Sequence, residues 1–392
     1  MSTSAAVWAG LNERIARTYQ SVAPAVAVRV QHRGAVVFSG QWGHTDDSTS
    51  VGPNTLFDLA SLTKLFTTTA LLSLTCQQDI SLQTPVVDLL PAFGEVAPRP
   101  VEGMQNPKTK AWQAVPAALD GVTVDPGDVT LWHLLTHSSG LAPWRDVHTF
   151  AAPDAPLSPT ERWQFAVGWL VSCSFVDRVG AAVHYSDVGM MLLGEIVARL
   201  NRSSLETAVR QHVIEPLALR DVCYNPVRDG GISKARIAPT EFDRHWRKRR
   251  VWGEVHDENA FGVGGVAGHA GLFGSAEAVA RFGQVWLDEA VPGIDADMRA
   301  QAISEQVRDG DVRRGLGWLL RGDQTDNERM NASAYGHTGF TGTSLWVDRA
   351  RGLVVVILTN RVYYGRQDHN IRQFRRMVHD AVVAAVDAAP PP

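Results

Sequence analysis

Cysteine is scarce in this chain, with three residues in 392, at Cys76, Cys173 and Cys223. An odd number at such wide spacing argues against a disulfide framework and points to a reduced, cytoplasmic setting. No run of 18 apolar residues occurs, so no segment is expected to span a membrane. Residues 1–19 lack the basic start, long apolar core and small-residue cleavage site of a secretory leader. They read instead as an amphipathic helix with Leu11, Ile15 and Tyr19 on one side. A net charge of −4 gives no field that would draw nucleic acid or an anionic membrane, so neither is an expected partner. There is no Gly-x-Ser-x-Gly elbow, which removes the α/β-hydrolase fold, and no phosphate-binding glycine loop or dinucleotide fingerprint. No His-Glu-x-x-His and no cysteine pair accompanies His133, His137, His256 or His269. The sequence therefore predicts neither a metal site nor a cofactor.

Lysine is also sparse, with 5 residues against 32 arginines, which makes Ser61-Leu62-Thr63-Lys64 conspicuous. It heads an apolar run, Leu65 to Leu74. A serine three residues before a lysine on a helix puts hydroxyl and amine on one face, one turn apart. That pairing activates a serine nucleophile without a catalytic histidine. A serine before an apolar run is more often a helix N-cap, and chance alone yields roughly 0.3 Ser-x-x-Lys matches in such a composition. Two further segments give the motif its weight: Tyr185-Ser186-Asp187, and Gly336-His337-Thr338-Gly339 near the C-terminus.

In this order the three motifs resemble the serine β-lactamase and penicillin-binding-protein superfamily, and within it the class C β-lactamase-like branch. That branch includes esterases and D-peptidases. Leu134-Leu135-Thr136-His137-Ser138-Ser139-Gly140-Leu141, Ala267–Phe273 and Gly315-Leu316-Gly317-Trp318 agree with it, and the likeness runs from about Val26 to the C-terminal helix. The resemblance implies Ser61 as nucleophile, with Lys64 and Tyr185 moving its proton. It also implies an oxyanion hole from the Ser61 and Phe340 amides, and substrate contacts from Asp187, His337, Thr338 and Gly339.

Two positions depart from the family pattern. Asp187 stands where asparagine is usual; a carboxylate there is expected to hold Lys64 as the ammonium, move base duty to Tyr185, repel an acidic substrate group and welcome an amine. Burial among Leu62, Leu65 and Phe66 is expected to act the other way and lower the Lys64 pKa. His337 replaces a permanent cation with a residue charged only in part near neutral pH. Both changes favour short-chain esters or small amides over β-lactams as substrates. A D-amino-acid peptidase, and a non-catalytic binding protein on the same fold, are the alternatives.

The expected fold is α+β: an antiparallel β-sheet flanked by helices, with an inserted, mostly helical lobe. Val26–Val30 and Ala35–Gln41 read as a hairpin across Gln31-His32-Arg33-Gly34. Ser344–Val347 and Leu353–Leu358 read as a second strand pair, followed by a helix over 367–388. Residues 1–75 with 300–392 are expected to form the sheet subdomain, and 76–299 the helical one. Within the latter, 94–127 carries five prolines together with Lys108 and Lys110, and reads as a surface loop or partial lid. The basic cluster Arg244 and Arg247–Arg250 reads as solvated surface, and Pro390–Pro392 as a disordered tail.

Overall fold

The computed structural model describes residues 3–46, 48–106, 109–288, 290–322, 325–367 and 370–388. The terminal prolines, Pro107 and Lys108 lie outside the described residues. The strands of the main sheet are β1 (Ala25–His32), β2 (Ala35–Gly43), β3 (Val307–Asp309), β4 (Val312–Arg314), β5 (Leu319–Leu320), β6 (Tyr335–Thr338), β7 (Ser344–Asp348) and β8 (Leu353–Thr359). They form one antiparallel sheet in the order β3-β4-β5-β6-β7-β8-β1-β2, so the first hairpin is stitched beside the last strand. Arg33 and Gly34 join β1 to β2 with φ of 52° and 79°, the left-handed pair that a tight two-residue hairpin needs.

Strand periodicity divides the core. Val26, Val28, Val30, Trp346, Val355 and Ile357 point to one face. There they pack with Leu11 and Ile15 of α1 (Thr3–Thr18) and with Phe374, Val378 and Val382 of the C-terminal helix Ile371–Asp387. Ala27, Leu345, Val347, Val354 and Val356 point to the other face, into the larger core shared with the helical lobe.

Two helices dominate that second face: α2 (Thr63–Gln78) and α4 (Ala276–Leu287). Phe66 of α2 stacks on Phe282 of α4 at 4.3 Å between ring centroids, and Trp286 and Trp318 continue the aromatic column to Tyr335 of β6. Helix α4 lies against β1, β7 and β8, so it sits on the sheet, although the expected boundary near residue 300 put it in the helical lobe. Residues Thr63 to Thr75 are all buried, threonines included. Thr69 and Thr75 return their hydroxyls to carbonyls of their own helix, while Thr67 donates to the Gly268 carbonyl. Among the described residues no helix is long and apolar enough to cross a membrane.

Two sequence expectations change. The stretch 94–127 is not a bare loop: Arg99–Pro100 pairs with Thr123–Val124, and Met104–Gln105 pairs with Trp112–Gln113. The second pair is tied down by Arg145, whose guanidinium donates to the Gly103 carbonyl, and by Gln105, which donates to Asp146. The basic cluster is solvated only in part, at the exposed Arg244 and Lys248. Arg247 is buried against Asp243 and donates to the carbonyls of Val255 and His256, while Arg249 pairs with Glu254. Its guanidinium thus fixes the loop that leads into Asp257.

Candidate active site

Ser61 is presented by a 3₁₀ turn, Ala60–Leu62, that runs directly into α2. Ala60 holds φ of 47°, a left-handed conformation unusual for a residue with a Cβ. Asp58 braces it. One carboxylate oxygen accepts from the Ala60 amide at 2.8 Å and the other from the His256 amide at 2.6 Å. The Asp58 carbonyl accepts from Thr341, and the next carbonyl, Leu59, accepts from Thr343. One buried acidic residue therefore ties the serine turn to the two loops that face it. Burial pushes the Asp58 carboxyl up, against the two amides and His256, which pull it down.

Lys64 is fully buried, and its ammonium has three oxygen neighbours: Ser61 Oγ at 3.1 Å, the His269 carbonyl at 3.0 Å and Asp187 Oδ1 at 2.7 Å. The contact with Asp187 is a close ion pair whose angles fall outside hydrogen-bond geometry. Burial alone lowers the Lys64 pKa, but Asp187 and then Tyr185 outweigh it, and the net direction is upward. Burial acts in the expected direction but does not decide the outcome, because the Asp187 carboxylate lies so close. A lysine held as the ammonium, donating to two oxygens beside a third that is ionised, has no lone pair to offer.

Tyr185 stands just before the helix α3 (Asp187–Leu200), which is capped by Ser186 through the Gly189 amide. Its hydroxyl is buried without a hydrogen-bond partner among the described residues. Lys64 Nζ lies 4.9 Å from the ring centroid and the Arg314 guanidinium 5.0 Å from it. His137 packs at 4.7 Å and His337 at 5.8 Å. His137 follows the helix Leu131–Leu135 in a left-handed conformation, and its Nδ1 accepts from the Ser186 amide. Burial, reinforced by Arg314 and Lys64, drives the His137 pKa well down, and that of His337 to about 3. His337 is thus neutral at physiological pH rather than partly charged, with Nδ1 placed to donate to the Thr338 carbonyl at 2.8 Å. Arg314 itself is buried, with Nε and one terminal nitrogen unpartnered among the described residues, and burial lowers its pKa to about 10.

Ser61, Tyr185, Asp187 and Phe340 line one cavity of about 240 Å³. Phe340 is held between the His256 ring and the Arg361 guanidinium. Thr338 is half-buried, and Gly339 has no room for a side chain, since a Cβ would meet Thr343 Oγ1 at 2.1 Å. Among the described residues, the Ser61 and Phe340 amides donate to no other group of the protein. The cavity also takes in residues that sequence reasoning left unassigned: Lys110, Trp144, Asp257, Glu258, His269 and Arg366. Asp257, Asp187 and His269 bring ligand atoms within 4.8 Å of one another. The Lys64 ammonium already neutralises Asp187, and His269 Nε2 lies 2.8 Å from Asp257.

With this geometry in place, the comparisons with known proteins converge. The family model described as Beta-lactamase matches residues 11–378. The chain belongs to the β-lactamase family. The N-acetylmuramyl-L-alanine amidase of Bacillus subtilis (strain 168) is 28% identical to this family member over 324 residues, 78% of this chain and 68% of the relative. A Salmonella schwarzengrund protein named "Putative D-alanyl-D-alanine carboxypeptidase" is 26% identical over 371 residues, 86% and 79% of the two chains. The crystal structure of a penicillin-binding-protein homologue from Caulobacter crescentus superposes with a TM-score of 0.69 at 19% identity, over 98% of each chain. Such a likeness establishes the β-lactamase/transpeptidase-type fold, and the family identifies a hydrolase.

Proposed function

We propose that this hydrolase works through an acyl-enzyme on Ser61, and that its substrates are short-chain carboxylic esters and small amides. Ser61 Oγ attacks the carbonyl carbon. Tyr185 takes the serine proton and returns it to the departing alcohol or amine, and water then releases the acid. The amides of Ser61 and Phe340 receive the oxyanion, a contribution worth about 10²–10³ in rate per donor in comparable sites. The observation that carries the reading is the Lys64 ammonium held between Ser61 Oγ and Asp187. A lysine fixed as a cation orients the serine and stabilises negative charge that develops on Tyr185, but does not itself take a proton.

Amides earn equal weight with esters because both curated relatives are named for amide or peptide cleavage. The neutral His337 disfavours substrates that need a cation at that position, which sets β-lactams behind esters. A D-peptidase that seats its substrate's amine on Asp187 has less support, because Lys64 occupies that carboxylate. The test compares a p-nitrophenyl butyrate-type ester with a chromogenic cephalosporin, using wild type, Ser61→Ala and Tyr185→Phe. Ester turnover that both variants abolish supports the mechanism. Turnover surviving Ser61→Ala refutes it, and cephalosporin as the better substrate refutes the ester reading.

A further inference from the structure

The hairpin Met104–Gln113 delivers a lysine into the serine cavity. Lys110 sits in a left-handed turn, φ of 61°, with its amide donating to the Asn106 carbonyl and its own carbonyl accepting from Gln105. Its ammonium lies 3.0 Å above the centre of the Trp144 ring. It lines the cavity of Ser61 and also a neighbouring one of about 500 Å³, and with Glu258 and Arg366 forms the wall between them.

Most charges around Lys110 are matched; Asp146, on the wall of the second cavity, accepts from Gln105 and is in no ion pair among the described residues. Arg366 pairs with Glu258 and Glu241, Lys64 with Asp187, and Asp257 faces His269. Lys110 has no carboxylate within ion-pair distance among the described residues. Burial pulls its pKa down, Glu258, Asp257 and Asp146 hold it up, and Arg366 opposes them. A half-buried ammonium that rests on an aromatic face, with its carboxylates beyond ion-pair contact, is incompletely compensated. A ligand carboxylate at this place would complete it.

We propose that Lys110 is a specificity-determining residue that binds a carboxylate of the substrate where the two cavities meet. This rests on Ser61 as nucleophile and narrows its substrate class to esters or amides bearing a free carboxylate, such as acyl-amino acids. It also moves anion recognition from the position of His337, which is neutral, to the inserted hairpin. An ammonium–carboxylate contact of this kind discriminates by about tenfold or more.

Two matched pairs of esters test the proposal on the full chain. One pair carries the charge in the leaving group, 3-carboxyphenyl butyrate against its methyl ester. The other carries it in the acyl group, mono-p-nitrophenyl glutarate against its methyl ester. For each pair the ratio of kcat/KM, charged over neutral, is measured in wild type, Lys110→Met and Lys110→Arg. In at least one pair Lys110→Met is expected to lower the ratio about tenfold or more, with Lys110→Arg recovering most of it. Ratios unchanged in both pairs overturn the proposal and leave Lys110 as a clamp on Trp144. A ratio cancels general losses from misfolding. Persistence of ester turnover in Ser61→Ala would instead overturn the nucleophile assignment.

Discussion

Replacing Asp187 with asparagine removes the counter-ion of a lysine whose side chain is 1% exposed and leaves a residue of the same shape. Breaking one partner of a buried pair costs about 3–5 kcal/mol. The lower end applies here, since Asp187 is 18% exposed and asparagine still offers an oxygen to Nζ. Two-state unfolding at ~2.1 cal/mol/K per residue over 392 residues gives an unfolding entropy of roughly 0.8 kcal/mol/K. A loss of ~3 kcal/mol then lowers Tm by about 4 °C near neutral pH.

The pH dependence of that loss supplies the sharper test. In the wild type the Lys64 pKa is raised, so its contribution is complete below the ordinary lysine value of 10.5 and fades only as pH climbs through the higher folded value. In Asp187→Asn burial becomes the dominant influence and the folded pKa drops below the unfolded one. The unfolded chain then binds more protons over that interval, and stability rises with pH. Differential scanning calorimetry should show the Tm gap narrowing from about pH 7 to about pH 10. A gap under ~1 °C at neutral pH, or one that widens with pH, would refute the reasoning.

Other expectations follow from the same geometry. Arg314→Met removes a cation 5.0 Å from the Tyr185 ring; at an effective dielectric of 20 this is at most ~3 kcal/mol, so ester kcat should fall by about 10- to 100-fold and Arg314→Lys should recover part. An unchanged kcat would show that the guanidinium only fills space. Asp58→Ala severs two amide contacts to a buried carboxylate and should lower stability by roughly 3 kcal/mol or more in urea unfolding. A change below ~1 kcal/mol would mean that the serine turn holds itself. Dialysis against EDTA should leave ester turnover intact, because Lys64 already pairs with Asp187 and His269 with Asp257. Loss restored by zinc would reverse that conclusion.

The parts of the fold legible in the sequence were those with strict local periodicity. The β1–β2 hairpin announced itself through alternating valines around Arg33-Gly34, and the terminal helices through apolar residues at helical spacing. The allocation of α4 was not legible, because an amphipathic helix does not state which apolar face it will cover. At the site, Ser61, Lys64, Tyr185 and Asp187 stood out as ordered motifs, and the fold brings them together. Arg314 carried no signal, being one arginine among 32 until the sheet folds it behind Tyr185. Lys110 carried a faint one, as one of only 5 lysines, in a segment whose prolines read as loop. The net direction of the Lys64 pKa needed the distance to Asp187, which spacing along the chain does not give.

The buried, threonine-rich helix α2 makes Ser61, the proposed nucleophile, a gauge of folding quality. Threonine is a poor former of isolated helices, and the hydroxyl of Thr67 and the ammonium of Lys64 close on carbonyls 201 and 205 residues away in the chain. As the proposed nucleophile, Ser61 should become reactive only in molecules that have completed these distant contacts. The yield of covalent Ser61 labelling counts native chains in a preparation. During refolding that yield should lag behind the far-ultraviolet helical signal, which responds to partly assembled chains as well.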